Sequence, residues 1–445
     1  MKAQDLTHGS VLGNIFTFSL PYMLAYFLQM LYGLADLFFI GLYCGVDSTT
    51  AVSNGAQVMH LITVVLIGFA MGTTVRIAHG VGAGDTKLVA RVLGNTVSLF
   101  ALVAVGLTLV LLSLRNVVVS VLDMPAEAVA ATQSYLLVCF AGIPFIVAFN
   151  VIASIFRGLG DSRSPMQFVV VACVTNILLD WILVGLLGWG VLGAAVATTV
   201  SQAVSVGFSL FFIRRRRESF PVTRQDFHFH RDTLRVILGI GVPVALQDGF
   251  IQLAFIAITV IANGRGLVDS AAVGIVEKII GLLFIVPSAM LSTVSAISAQ
   301  NMGAGRIDRS LMCVRYAVCI AAGFGLFVTI LFQFIPGVAV GLFTDDAAVI
   351  VQGSDYLRSY VIDCFLAGIH FCFSGFFVAC GYSSISFFHN VVSIVCARLP
   401  LSYLFSSLYP QTLYPMGLAS PVGSLISVVV CIVAYQWLLR KKHLA

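Results

Sequence analysis

The sequence predicts an all-α polytopic membrane protein, with twelve transmembrane helices in two pseudo-symmetric six-helix lobes. Composition, a succession of apolar runs of membrane length, and an internal repeat carry that prediction. Of 445 residues, 59% are hydrophobic and 10% charged, and the mean hydropathy is +1.03. Soluble domains carry about 25% charged residues, so a water-soluble enzyme is excluded: its surface would hold apolar patches that drive association. Intrinsic disorder needs low hydrophobicity and high charge, and is excluded too.

The apolar runs fall near 14–42, 51–78, 93–114, 131–156, 165–187, 190–213, 237–262, 270–297, 312–335, 352–378, 385–406 and 417–438. Each is long enough to cross a hydrocarbon core of about 30 Å. The first follows the polar stretch Met1–Ser10 and is too long for a signal-peptide core, so no cleavable signal is expected. The second ends at Gly82-Ala83-Gly84, the fourth opens at Ser134-Tyr135, and the eighth ends at Gly303-Ala304-Gly305. The longest polar connection, Arg214–Arg235, opens with four consecutive arginines and divides the spans six and six. The expected organisation is therefore an N-terminal lobe at 1–213, a cytoplasmic basic linker at 214–236, and a C-terminal lobe at 237–445.

Basic residues orient the spans. With the N-terminus inside, the cytoplasmic loops and termini hold Lys2, Lys87, Arg91, Arg157, Arg163, Arg214 to Arg217, Arg224, Arg231, Arg235, Arg306, Arg309, Arg315, Arg440, Lys441 and Lys442. The other side holds Arg115, Arg265 and Arg358. Both termini are expected in the cytoplasm of a cell that carries the chain in its (inner) membrane.

The repeat has a nearly constant offset. Pro21 recurs as Pro243, Asp47-Ser48 as Asp269-Ser270, Gly82-Ala83-Gly84 as Gly303-Ala304-Gly305, and Ser134-Tyr135 as Ser359-Tyr360. Six spans per half give the two halves the same orientation, which is a transporter architecture. A duplicated scaffold without transport is the alternative.

Ionisable residues at membrane depth are expensive and mark function by default. In the first half these are Asp36 in span 1 and Asp180 in span 5. At 1.5 Å per residue, Asp36, Asp180, Thr198 and Tyr135 all lie roughly 6–12 Å below the outer edge. Tyr32 precedes Asp36 by four residues, Asn176 precedes Asp180 by four, and Thr198 precedes Gln202 by four, so each pair shares a helix face. A carboxylate out of water favours its neutral form, the more so beside a second one. Such a pocket takes up a proton, or shares a monovalent cation with Asn and Thr oxygens. Structural carboxylates bonded to neighbouring helices are the alternative.

The second half does not mirror this. Asp248 and Glu277 each offer a partner for Lys278, while Asp363 and His370, seven apart, share a face that could bind cation or substrate. Pro21 and Pro243 each bend a first-of-lobe helix or hold a static kink. The ten cysteines form no CxxC pair and read as small packers. His228-Phe229-His230 reads as a solvated loop, with metal chelation the weaker reading. The net charge of +5 is spread over loops, so no nucleic-acid partner is expected.

Taken in order, Tyr32-x3-Asp36, Gly82-Ala83-Gly84-Asp85, Arg157-Gly158-Leu159-Gly160-Asp161-Ser162, Asn176-x3-Asp180, Gly188-Trp189-Gly190, Gly193 to Thr198 and Gln300 to Gly305 resemble the multidrug and toxic compound extrusion (MATE) family. The resemblance implies two lobes around an outward-opening cavity and antiport of cationic or amphiphilic compounds against protons or sodium. It also implies a cation site like that of the DinF-like branch at Asp36, Asn176, Asp180 and Thr198, with Tyr32 and Tyr135 beside it, and a bend at Pro21. Where the NorM-like branch carries a span-7 glutamate, this chain has Gln252, which argues for coupling through the first lobe. No cofactor is expected beyond H+ or Na+ as the coupling ion. The expected partners are small molecules and membrane lipid, and the expected state is a monomer. A lipid-linked oligosaccharide flippase is the competing reading; it would want a more basic cavity than Lys278, Arg398 and Arg76 provide. A major-facilitator carrier would want an acidic-arginine signature after span 2, where Gly82 to Lys87 stands instead. An intramembrane enzyme lacks any HExxH or GxSxG motif.

Overall fold

A computed structural model describes residues 5–122, 125–215 and 222–440. Lys2, Arg216, Arg217, Lys441 and Lys442, counted above for orientation, lie outside the described residues. Within these bounds all regular structure is helical. Eleven helices are long and apolar enough to cross a membrane, and a bent pair makes a twelfth span. In chain order they are α1 (Val11–Tyr43), α2 (Val46–Gly82), α3 (Thr86–Val121), α4 (Ala126–Ala141 with Ile143–Gly158, bent by 49°), α5 (Arg163–Leu186) and α6 (Gly190–Arg215). The second six are α7 (Arg231–Asn263), α8 (Leu267–Gly303), α9 (Ile307–Phe334), α10 (Ala347–Ala379), α11 (Ser383–Leu408) and α12 (Tyr414–Arg440). Each falls on one of the apolar runs read from the sequence. The bend in α4 sits at Gly142, followed by Pro144 in the first turn of the next piece, where proline is tolerated. Phe38, Leu102 and Phe327 are more than three-fifths exposed, as lipid-facing side chains are.

The chain packs as two compact units: Leu20–Leu238, and Gly239–Ala445 together with Leu6–Ser19. In the first unit Leu136, Phe140, Ile143, Ala194 and Ala195 are wholly buried. The turn after α2 needs a left-handed residue, and Gly84 supplies it at φ 67; Gly305 does the same after α8 at φ 69. This is the physical content of the repeated Gly-Ala-Gly. Asp85 then caps α3, its Oδ1 accepting from the Leu88 amide at 2.9 Å.

The segment 222–230 docks on α3. Asn95, wholly buried, donates to the carbonyls of Asp226 (3.0 Å) and His228 (3.1 Å) and accepts from the His230 amide at 2.8 Å. The His230 ring thus meets α3, while the His228 ring keeps to its own turn through the Gln225 carbonyl. Among the described residues no three metal-ligating side chains gather. The Thr223 amide and hydroxyl both donate to Asp226, which holds that exposed carboxyl below its ordinary range.

In the second unit small residues let backbones touch. A Cβ on Gly325 of α9 would meet the Phe365 Cα of α10 at 2.5 Å, and one on Gly375 of α10 would meet the Leu291 carbonyl of α8 at 2.4 Å. The Gln300-Asn301 pair holds the chain's beginning: the Leu6 amide donates to Gln300 Oε1 at 3.0 Å, and Asn301 Nδ2 donates to the Leu6 carbonyl at 3.3 Å.

Candidate functional site

Four helices bring a polar cluster together inside the first unit. Asp36 (α1) is 3% exposed, and Asn176 and Asp180 (α5) are wholly buried. Asn176 Nδ2 donates to Asp36 Oδ1 at 3.0 Å, and Thr198 Oγ1 of α6 donates to Asp36 Oδ2 at 2.8 Å. The carboxyl of Asp180 stands beside that of Asp36. Both Asp180 oxygens, Asn176 Oδ1 and Gln202 Oε1 are buried without a hydrogen-bond partner among the described residues. The cluster has a surplus of oxygen lone pairs and a shortage of donors. Its acids meet neutral groups, so its interior suits a proton or a small cation and repels an anion.

Tyr32, one turn before Asp36, accepts from Gln202 Nε2 at 3.4 Å. Tyr135 of α4 is 2% exposed and stands beside both acids. Its ring lies flat against α2, where a Cβ on Gly55 would come within 2.4 Å of it. Cys139, one turn beyond Tyr135 on α4, neighbours the phenol. Sequence reasoning missed both roles. An apolar-span cysteine carries no signal beyond its spacing from Tyr135, and Gly55 resembles any small helix-packing residue. After Asp180, α5 widens into a π-helical turn, Trp181–Leu186, a deformation frequent at functional sites. Pro21 lies fifteen residues before Asp36 on the same helix, about 22 Å along the axis, and is not part of this cluster.

The second unit gathers its own polar residues, with different partners from those read in the sequence. Glu277 accepts from Thr259 Oγ1 at 3.1 Å and faces Arg398 of α11, whereas Lys278 is exposed. The expected pairing of Lys278 is therefore replaced, because adjacent residues on a helix point about 100° apart. Asp363 of α10 is buried beside Arg398 and Ser424. His370, also buried, stacks edgewise on His389 of α11 at 5.5 Å between ring centroids, and His389 bonds to Ser374 at 2.8 Å. Arg398 is the charged neighbour common to Asp363, Glu277 and His370. Asp248 and Gln252, one turn apart on α7, are half-buried.

Comparison with known proteins agrees with this architecture. The MatE family model matches residues 21–182 and again 243–404, two stretches displaced by 222 residues at both ends. The probable multidrug resistance protein YpnP of Bacillus subtilis is 25% identical over 419 residues, covering 94% of each chain. The probable multidrug resistance protein NorM of Thermotoga maritima is 28% identical over 394 residues, covering 87% of this chain and 84% of that one. A crystal structure of MATE in complex with MaL6 superposes with a TM-score of 0.91 at 25% identity, covering 100% of this chain and 99% of the other. The outward-facing conformation of a multidrug resistance MATE transporter of the MOP superfamily gives 0.90 at 25%, with the same coverage.

Proposed function

Because the chain belongs to the MATE transporter family, we propose that it exports cationic or amphiphilic small molecules by antiport against a proton or sodium ion. The coupling ion is held at Asp36, Asp180, Asn176 and Thr198, as in the DinF-like branch. One observation carries the reading: two buried carboxyls side by side, met by neutral donors, with both oxygens of Asp180 left without one. Ionised together and empty, they would cost several kcal/mol at membrane depth. A proton between them, or sodium ligated by the carboxylate, amide and hydroxyl oxygens, removes that cost.

Such an ion drives export only if cation and drug prefer different states of the carrier. The outward-facing state binds the cation, releases drug, and the empty carrier resets. Tyr32, Tyr135 and Gln202 border the cation and couple it to the drug path, and Pro21 is where α1 bends. The multidrug resistance names of YpnP and NorM support drug as the cargo class. The protein acts as a monomer in the cell membrane, and the basic-residue asymmetry supports both termini lying in the cytoplasm.

Dye efflux from proteoliposomes, driven by a pH gradient alone and then a sodium gradient alone, tests the proposal. Wild type should respond to one of them and Asp36→Asn to neither. Normal efflux by Asp36→Asn would remove the cation assignment. Inactivity of wild type toward several cationic dyes would favour a lipid-linked flippase.

A further inference from the structure

The two units surround their acids differently, and the repeat locates the difference. A shift of 222 residues, the displacement of the two family-matched stretches, carries Asn176 onto Arg398, Asp180 onto Ser402 and Gly55 onto Glu277. Tyr135 recurs as Tyr360, and each tyrosine is buried beside two acids. In the first unit the α5 position holds a neutral amide bonded to Asp36. In the second the matching α11 position holds a guanidinium.

We propose that Arg398 is a tethered counter-cation filling the second unit's equivalent of the cation site, so that exchangeable cations enter the first unit alone. Removing its charge opens a second monovalent-cation site on Glu277 and Asp363.

The geometry fits a fixed cation. Arg398 is 8% exposed and donates through Nη2 to the Tyr360 hydroxyl. Its guanidinium carbon lies 4.8 Å from the Phe255 ring centroid and 5.6 Å from that of Tyr360. Two aromatic faces and a phenol hold the planar group, which stays charged at any physiological pH. Around it, Glu277 Oε1 and Asp363 Oδ1 are buried without a hydrogen-bond partner among the described residues. The Thr259 and Ser424 hydroxyls stand against the same acids. Once the tethered charge is gone, two carboxylates and two hydroxyls remain, against the two carboxylates, amide and hydroxyl of the first unit.

This inference rests on the first unit being the exchangeable site, and the test separates the two. Cations bound per purified protein are counted with 22Na+ by scintillation proximity, and protons by difference potentiometric titration. Arg398→Asn, which installs the first unit's residue, should bind one cation more than wild type, and Arg398→Lys the same number as wild type. In Asp36→Asn the first unit's uptake disappears, and adding Arg398→Asn should return one cation. Should Arg398→Asn fold poorly, Arg398→Asn with Asp363→Asn removes both charges and should bind as wild type does. No gain in folded Arg398→Asn overturns the inference, as does full uptake by Asp36→Asn acting through Glu277 or Asp363. A wild type that binds no cation at all overturns the coupling reading instead.

Discussion

Asp36 and Asp180 in the first unit, and Glu277 and Asp363 in the second, confront the same physical problem. Two carboxyls sit at membrane depth where water does not balance their charge. The first unit surrounds them with an amide and a hydroxyl and leaves both Asp180 oxygens without a donor. The second places Arg398 among them, braced by Phe255 and Tyr360. One pocket is built to stay short of positive charge and the other carries its own. On the proposed reading, duplicated architecture does not entail duplicated function: a single change at one α5 or α11 position, amide to guanidinium, decides whether a cation has to come from solution.

The sharpest way to break that contrast is to delete an acid from each unit and follow thermal stability in detergent. Asp363→Asn takes away one of the two acids around the buried guanidinium and leaves Glu277 alone to balance it, and weakening a buried charge pair costs up to about 3–5 kcal/mol. Asp180→Asn removes half of an uncompensated pair and should cost nothing or stabilise. Equal losses in both variants would mean that the first unit holds a compensating charge after all. Next in size, Asn176→Arg imports the second unit's solution into the first. The guanidinium should satisfy Asp36 and Asp180 permanently, so cation uptake and efflux should fall as far as in Asp36→Asn while the protein stays folded. Retained uptake would show that the α5 position does not govern the site.

Much of this contrast was legible before any coordinates, for reasons that can be assigned. Polar residues in apolar spans stand out, and a four-residue spacing places Tyr32 with Asp36 and Asn176 with Asp180 on one face. Registering Thr198 against Asp36 needed only a depth count from the span ends. Partner choice across helices was not legible. Glu277 lies next to Lys278 in the chain, yet it turns to Thr259 and Arg398 because α8 fixes its direction. Arg398 counts in the sequence only as one of three basic residues near the membrane interior, with Lys278 and Arg76, since nothing local says that Tyr360 and Phe255 will frame it. The π-helical turns at Trp181–Leu186 and Ile394–Arg398 also left no pattern, because each adds one residue to a turn without altering the apolar run.

A smaller effect sharpens the first unit's side of the comparison. Gly55 occupies the position of Glu277 and leaves room for the Tyr135 ring, which an added Cβ would meet at 2.4 Å. Gly55→Ala should overpack the site by about 1–3 kcal/mol, and in a Tyr135→Ala background the same change should cost little. Thermal melts of the two single variants and the double close that cycle. An additive result would mean that the ring is free to move aside.

The last comparison, read chiefly as a change in cation affinity, contrasts two hydroxyls. Thr198 donates to Asp36 at 2.8 Å and Thr259 to Glu277 at 3.1 Å, so the bonds are alike in chemistry and differ only in what the acid does. Replacing either threonine by valine keeps the shape and removes one hydrogen bond to a charged group, worth about 1.5–3 kcal/mol where the group is ionised. As proposed, the first unit's hydroxyl is also an oxygen ligand for an exchangeable ion, so Thr198→Val should weaken 22Na+ binding, or proton uptake if the ion is H+, by on the order of tenfold. In the second unit the acid is committed to Arg398, so Thr259→Val should lower the melting temperature and leave cation binding at its wild-type affinity. Equal shifts in cation affinity from the two valines would place an exchangeable ion at Glu277 with Arg398 still in place, and the contrast between tethered and exchangeable charge would not survive it.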